Sequence, residues 1–154
     1  MAKNDSILID GILDERIDLK IPSNNRGEAF EYFAFEQIFK DYDLSSDEIL
    51  SGSVDGKDDG GIDGFYITIN GHLLSDPESF NWPKSGAILE VWIITCKHHN
   101  TFKQAPLDNL VASISELFDF STENEKLLGD YSDEIKKQRE NLKFAYRKCR
   151  LPIF

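Results

Sequence analysis

Apolar residues recur every three or four positions in the first strongly patterned segment, which runs from residue 26 to about residue 41: Phe30, Phe33, Ala34 and Ile38. This spacing gives one apolar face to a helix and predicts a helix there. Asn25 precedes the segment and Glu28 follows three residues later, which resembles a capping box with Asn as the cap. The sequence therefore predicts a helix that begins next to Asn25.

Two shorter segments further along the chain have the pattern of strands. ILSGSV at residues 49–54 predicts a short strand, and IDGFYITI at residues 62–69 predicts a second one. The dipeptide Asn70-Gly71 follows at once and is a strong signal for a hairpin turn. We therefore expect residues 72–74 to fold back and pair with the second strand.

The last part of the chain opens with a strand and continues with helices. AILEVWIITCK at residues 87–97 is almost entirely apolar, which predicts a third strand that is central and covered on both faces. Pro106 fits the first turn of a helix with an apolar stripe formed by Leu107, Leu110, Val111, Ile114, Leu117 and Phe118. A second helix is predicted over residues 131–148, and RLPIF at residues 150–154 begins a strand that is cut short. This order predicts an α/β fold.

Length and composition are those of one globular domain. The chain has 154 residues, 40% of them hydrophobic, which is enough for a core. We expect residues 1–25 to form an N-terminal arm and residues 26–154 to form the domain. The N-terminus lacks a secretory signal and no apolar run is long enough to span a bilayer, so we predict a cytoplasmic protein with no membrane partner. Cys96 and Cys149 form no C-x-x-C pair, which argues against a zinc site or a disulfide framework.

The charge is unevenly distributed. The net charge of the chain is -11, which opposes binding to phosphate backbones. Residues 136–150 nevertheless carry seven basic residues and one acidic residue, a local charge of +6 that leaves -17 for the rest of the chain. We call this segment the basic strip. It is interpreted either as a solvated helix face or as a surface that contacts phosphates.

Candidate chemistry lies where the second and third predicted strands begin and end. Asp63 opens the second strand and Lys97 closes the third, so neighbouring strands supply a carboxylate and an ammonium group. Thr95 and Lys97 are two residues apart and share a face of the predicted strand, while Cys96 points away but offers its backbone carbonyl. One or two carboxylates and a carbonyl are enough to hold a largely hydrated Mg²⁺. This layout is typical of metal-assisted hydrolysis.

At these residues the chain resembles a known superfamily. GEAFE at 27–31, DGGIDG at 59–64 and IITCK at 93–97 are similar to the motifs of the PD-(D/E)xK nucleases, especially the Mrr-like restriction endonucleases. GGIDGFYI at 60–67 is most similar to the N-terminal domain of the abortive-infection phage-resistance (AIPR) family. The resemblance covers about residues 26–120.

The resemblance implies a restriction-endonuclease-like fold, in which a mixed β-sheet is flanked by helices around an α-β-β-β-α core. It implies hydrolysis of phosphodiester bonds with Mg²⁺, or Mn²⁺ as a substitute, in anti-phage defence. The substrate would be a nucleic acid, DNA or RNA. The chain would be the N-terminal part of a longer protein, whose C-terminal region supplies most of the grip on the substrate, and a homodimer is the assembly that the family suggests.

The resemblance also assigns roles to individual residues. Asp63 matches the metal-binding Asp and Lys97 matches the catalytic Lys of the terminal motif. Thr95 departs from the pattern, because the family has Glu, Asp or often Gln at this position. Glu31 aligns with a helix Glu of the Mrr-like proteins and is expected to bind the metal. Glu28 ranks second, because the capping box competes for its carboxylate.

Several neighbouring residues have simpler interpretations. Gln104 is a weaker candidate for the site, which it would reach from the following helix. Asp58 and Asp59 are expected to form a turn with the adjacent glycines. His98 and His99 are expected at the surface where the third strand ends.

Two functions of other classes remain open. Because Thr95 replaces an acid, the fold could serve as a catalytically inactive binding module. Because the chain is strongly acidic, it could instead mimic nucleic acid or bind a basic protein. A calcium site in DGKDDGGID at residues 55–63 is a weaker alternative, since the segment lacks the final Glu of an EF-hand loop.

Overall fold

The computed structural model describes residues 3–54, 60–97 and 103–149. Its helices are α1 (Lys3–Asp18), α2 (Arg26–Ile38), α3 (Ser46–Ser51), α4 (Gln104–Leu117) and α5 (Asp133–Lys148), with a 3₁₀ turn at Asn124–Lys126. Its strands are β1 (Gly64–Ile69), β2 (His72–Leu73) and β3 (Leu89–Ile94). Helices and strands are both present, so the predicted α/β class is confirmed at this level.

The chain divides into two compact units. The smaller unit comprises Met1–Asp41 and Cys96–Lys103, and the larger unit comprises Tyr42–Thr95 and Gln104–Phe154. Helices α1 and α2 belong to the smaller unit. The sheet and the remaining helices belong to the larger one.

In the smaller unit, charged side chains join α1 to both ends of α2. The guanidinium group of Arg26 lies 2.6 Å from carboxylate oxygens of Asp10 and Asp14, and Arg16 forms an ion pair of 2.5 Å with Glu36. Helix α1 thus occupies a stretch for which the sequence predicted only a short arm. Its apolar residues come in adjacent runs, with Leu8 exposed and Leu13 fully buried, so they carry no clear helical period.

The larger unit is built on a three-stranded sheet with the order β2-β1-β3. Both strand pairs are antiparallel, with Gly64 opposite Ile94 and Thr68 opposite Leu73. Among the described strands the sheet is therefore antiparallel, whereas the resemblance predicted a mixed sheet. The fourth strand that would make it mixed was predicted at residues 150–154, which lie outside the described residues.

The buried central strand is β1, not β3. Every residue of β1 is buried, while β3 is mostly half-buried and lies at one edge of the described sheet. Among the described strands, β3 is thus not the central strand that was predicted, because an apolar run does not show which strand acquires neighbours on both sides. One face of β1 joins a core with helices α4 and α5, formed by Phe65, Ile67, Ile69, Leu117, Ile135 and Leu142.

The first half of the predicted strand at residues 49–54 is instead the end of helix α3. Ser45 and Glu48 form a complete capping box that starts α3, and only Ser53 bridges to Gly64 of β1. The Tyr66 hydroxyl donates to the carbonyl of Ile49 at 2.7 Å, which ties α3 to the sheet. The Ser-x-x-Glu signal was present in the sequence and outweighs the strand pattern.

The other local predictions are confirmed. Asn70 and Gly71 have φ angles of 52° and 81° and turn the chain from β1 into β2, as a two-residue hairpin turn requires. Pro106 lies in the first turn of α4, and α5 covers most of the second predicted helix. In the part of the chain that the structure describes, no helix combines the length and apolar content needed to cross a bilayer.

Candidate functional site

Asp63 and Thr95 come from adjoining strand ends in the larger unit. Asp63 is 2% exposed and directly precedes β1, and its N–H donates to the carbonyl of Ile94 at 2.8 Å. Its own carbonyl accepts from the N–H of Val54 at 3.1 Å. The Asp63 backbone is thereby fixed beside the residue that precedes Thr95. A carboxylate is costly to bury, so this position is not accounted for by turn formation alone.

Thr95 is the residue at which the sequence departs from the nuclease motif. Its hydroxyl oxygen is buried and has no hydrogen-bond partner among the described residues. Buried hydroxyl groups are nearly always paired with protein or with an ordered water or ion. The hydroxyl of Thr95 is therefore an unsatisfied oxygen donor at the strand end next to Asp63.

Four other predicted site residues, Glu28, Glu31, Cys96 and Lys97, belong to the smaller unit. Glu31 is half-buried on α2, and Lys97 is exposed. Strand β3 ends at Ile94, three residues before the predicted end at Lys97. The strand alternation that placed Thr95 and Lys97 on one face therefore does not apply, and the role of the Cys96 carbonyl stays a prediction.

Glu28 has a local partner, though not the predicted one. Asn25 caps α2 by accepting from the N–H groups of Gly27 and Glu28 at 2.8 and 3.2 Å. The Glu28 carboxylate accepts from the hydroxyl of Ser23, and that hydroxyl accepts from the N–H of Asn25 at 3.0 Å. The Asn25 cap is confirmed. The predicted return contact from the Glu28 carboxylate to the N–H of Asn25 is made through the hydroxyl of Ser23.

Gln104 is the first residue of α4 and is exposed. Its side-chain amide donates to Asp108 one turn later, at 3.0 Å. This contact is that of an ordinary helix surface. The turn residues Asp58 and Asp59 and the histidines His98 and His99 lie outside the described residues, as does most of the segment considered for calcium.

Within residues 3–54, 60–97 and 103–149, no three His, Cys, Asp or Glu side chains come together in a way that could hold a metal ion. The larger unit does place a carboxylate, Asp63, and a buried hydroxyl that has no partner in the described part of the chain, Thr95, at adjoining strand ends. Because Mg²⁺ keeps several waters, these hard oxygen donors fit a loosely held ion but not a caged one.

The basic strip is smaller than its sequence suggests, because Arg139 is fully buried. Its guanidinium group donates at 2.6 to 2.8 Å to four oxygen atoms, namely the carbonyls of Leu117, Asp119 and Thr122 and the side-chain amide oxygen of Asn124. The positive group lies at the C-terminal end of α4, where the helix dipole is negative. Arg139 is thus a structural residue and cannot contact phosphate.

Lys143 is also withdrawn from the surface. It is 9% exposed, and its ammonium group lies 3.1 Å from the Glu140 carboxylate. Lys137, Arg147 and Lys148 remain exposed in the described part of the strip. Arg147 and Lys148 lie in the last turn of α5, whose first turn is acidic, which is the ordinary arrangement of charges along a helix. The interpretation as a solvated helix face gains support.

A pocket that no sequence pattern indicated is lined in part by the two glycines that precede Ile62 and Asp63. It encloses about 440 Å³ and is lined by Gly60, Gly61, Asn109, Ala112, Ser113, Glu116, Gly129 and Tyr131. All of these residues belong to the larger unit. We call it the glycine pocket. Its walls come from three segments far apart in the sequence, so no local pattern could have revealed it.

Glu116 lines the glycine pocket and is hydrogen-bonded to other parts of its wall. Its carboxylate accepts from the N–H groups of Leu128 and Gly129 and from the hydroxyl of Tyr131. Desolvation acts to raise the pKa of Glu116, but these hydrogen bonds outweigh it and the pKa is lowered. Burial and the bond to Glu116 raise the pKa of Tyr131. Glu116 is therefore an ionised structural acceptor and a poor general base.

A second hydrogen-bonded carboxylate, Glu90 of β3, lies on the face of the sheet that points away from the core of Ile67 and Ile69, because side chains alternate along a strand. Glu90 accepts hydrogen bonds from the hydroxyl of Thr68 at 3.0 Å and from that of Tyr42 at 3.1 Å. Burial and the bond to Glu90 raise the pKa of Tyr42. The cluster joins the segment after α2 to the sheet, and we assign it a structural role.

Comparison with known protein families, with curated proteins and with solved structures returned no match. The resemblance to PD-(D/E)xK nucleases thus stays a prediction from the short motifs of this sequence.

Proposed function

We propose that the chain is a metal-dependent nuclease domain that hydrolyses phosphodiester bonds in nucleic acid. The observation that carries this proposal is the pairing of Asp63 with Thr95. A buried carboxylate precedes the central strand, and a buried hydroxyl without a partner among the described residues follows the neighbouring strand. Structural polar groups are usually satisfied, as Arg139 is, so an oxygen donor left unsatisfied beside a carboxylate favours a ligand.

The proposed roles follow the chemistry of each group. Asp63 would hold Mg²⁺ through its carboxylate, and the hydroxyl of Thr95 would bond to a water in the ion's shell. The bound ion would polarise the scissile phosphate and lower the pKa of a water molecule. Glu31, Lys97 and the carbonyl of Cys96 belong to the smaller unit, and their participation stays a prediction from the nuclease motif.

The first test is calorimetric titration of the chain with Mn²⁺, with and without the substitution Asp63→Asn. Asn removes the charge and nearly preserves the shape, so we expect the affinity for the ion to fall at least about tenfold, which corresponds to about 1.4 kcal/mol. The matched control is Asp43→Asn in the same unit, because Asp43 is exposed and adjoins Tyr42, whose hydroxyl bonds Glu90 opposite Thr68, near the other end of β1. Its affinity should equal that of the unchanged chain.

The outcome decides between two functions. Equal binding by the unchanged chain and by Asp63→Asn, or no binding at millimolar Mn²⁺, would overturn the nuclease proposal. The second candidate, a catalytically inactive binding module, would then be favoured. Two observations support that alternative: Thr95 stands in place of an acid, and the described residues contain no group of three metal-ligating side chains.

Thr95→Glu tests the same proposal from the opposite direction. It restores the acid of the motif, so we expect it to raise the affinity for Mn²⁺ if the site is at this strand end. Far-UV circular dichroism of the variant confirms that it is folded. A folded Thr95→Glu protein with unchanged metal affinity would contradict the assignment of Thr95 to the site.

A further inference from the structure

We infer that the glycine pocket is a binding site for a nucleobase. The inference rests on the proposed nuclease function and deepens it, because it names the part of the substrate that the chain grips. The pocket volume of about 440 Å³ lies within the range of about 300–1,000 Å³ that is usual for small-molecule sites. A base with part of its sugar is a ligand of suitable size.

The charge of the pocket selects a neutral ligand. Among the described residues, the pocket lining contains one carboxylate, Glu116, and no Lys, Arg or His side chain. The Glu116 carboxylate already accepts three hydrogen bonds, which stabilise its charge without a cationic ligand. A phosphate inside the pocket would meet a negative charge without a compensating cation. An uncharged polar ring avoids that cost, and the phosphate remains outside.

Asn109 supplies the polar group that would recognise a base. It lines the pocket from α4, is exposed, and carries both a hydrogen-bond donor and an acceptor in one planar amide. Planar amides pair with the donor and acceptor edges of nucleobases, adenine in particular. Ser113 adds a largely buried hydroxyl that donates to the carbonyl of Gly60 at 2.7 Å and so fixes the wall beside Asn109.

The pocket is pre-formed. A Cβ atom at Gly60 would lie 2.7 Å from the Tyr131 ring, and one at Gly129 would lie 2.8 Å from it. The ring is thus packed tightly against two backbone segments, and its hydroxyl is fixed by Glu116 at 2.8 Å. A rigid wall reduces the entropy lost on binding.

The location of the pocket connects it to the proposed cleavage site. Gly61 lines the pocket and lies two residues before Asp63, so their Cα atoms are within about 7 Å of each other. A base held in the pocket would place its backbone phosphate near the carboxylate of Asp63. Since a base in a duplex is stacked and paired, the geometry selects single-stranded nucleic acid or an extruded base.

The test is a titration followed by NMR in the presence of EDTA, in which the amide signals of Gly60, Gly61 and Gly129 report on the pocket. The probes are adenosine and cytidine, a single-stranded oligonucleotide, and the same oligonucleotide as a duplex. We expect the single strand to shift these signals at lower concentration than the nucleosides, and the duplex to have little effect. Saturation by nucleosides alone would identify a free-nucleoside site and overturn the link to the substrate strand.

The substitution Ala112→Leu fills the pocket from a helix position where Leu is well tolerated. We expect it to weaken binding at least about tenfold, and Asn109→Ala to weaken it about fivefold to tenfold through loss of a hydrogen bond. The matched control is Val111→Leu, one residue away on α4 and 61% exposed outside the pocket. Its affinity should not change.

Two results would overturn the inference: no shift of the three glycine signals with any probe, or shifts that Ala112→Leu leaves intact. Because EDTA removes metal ions, these results do not depend on the proposed metal site. Titration of the unchanged chain with Mn²⁺ completes the separation. If the unchanged chain binds no base but keeps Asp63-dependent metal binding, the pocket alone is refuted, whereas absence of both refutes the nuclease proposal as well.

Discussion

Arg139 and Thr95 are both polar residues with buried polar atoms, but their environments differ in kind. The guanidinium group of Arg139 donates to four oxygen atoms of the α4 end and the following loop. The hydroxyl of Thr95 has no hydrogen-bond partner in the described part of the chain. Satisfied buried groups stabilise a fold, while unsatisfied ones lower its stability and are retained where a ligand needs them. The comparison distinguishes a buried polar residue that stabilises the fold, Arg139, from one that is a candidate for binding a ligand, Thr95.

The largest effect is expected from Arg139→Ala. The substitution leaves three backbone carbonyls and the Asn124 amide without their donor, in contacts that are buried or half-buried. We expect it to lower the free energy of unfolding by about 3–5 kcal/mol, measured by urea denaturation. Arg147→Ala, at an exposed position of the same helix, should change stability by no more than about 0.5 kcal/mol. Equal effects of the two substitutions would contradict the structural role of Arg139.

A matched pair of threonines gives the sharpest version of the comparison. Thr68 is fully buried and its hydroxyl donates to Glu90 at 3.0 Å, whereas the Thr95 hydroxyl has no partner among the described residues. Thr68→Val should cost about 1–2 kcal/mol of stability, because it removes a satisfied donor. Thr95→Val should stabilise the metal-free protein by about 1 kcal/mol, because it removes a buried hydroxyl that has no hydrogen-bond partner among the described residues. A loss of stability in Thr95→Val comparable to that in Thr68→Val would show that the hydroxyl is already satisfied.

The smallest effect concerns pH and Glu116. Hydrogen bonds lower the pKa of Glu116 in the folded protein below its ordinary value of 4.5. The unfolded chain therefore binds the proton more readily, so this stabilisation is present above about pH 4.5 and is lost as the pH falls through the lowered pKa. We expect Glu116→Gln to reduce the acid-induced fall in stability, measured by urea denaturation between pH 5 and pH 3. An identical pH dependence in both proteins would contradict the prediction.

The features that could be predicted from the sequence are those that depend on neighbouring residues. The hairpin follows from Asn70 and Gly71, because they tolerate the positive φ angles that its turn requires. Helices α4 and α5 follow from apolar spacing and from Pro106. Helix α3 could also have been predicted, since Ser45 and Glu48 carry a capping-box signal.

The remaining features depend on contacts between distant segments. Burial of Arg139 requires acceptors that lie 15 to 22 residues earlier in the chain, and a count of basic residues cannot distinguish it from Arg147. The glycine pocket joins Gly60 to Ser113 across 53 residues. Asp63 and Thr95 were predicted as site residues, but the absence of a partner for Thr95 within the described residues becomes visible only in three dimensions.

The contacts of Arg139 have a consequence for sequence variation. A guanidinium group is flat and carries five N–H donors in fixed directions, while a lysine ammonium group offers three donors from a single point. Lysine could not reach four acceptors that lie around the plane of the guanidinium group. Random substitution of α5 should therefore recover only Arg at position 139, while exposed positions such as Lys137 and Lys148 accept many residues. One residue in the middle of a charged helix would then be as intolerant of replacement as a glycine in a tight turn.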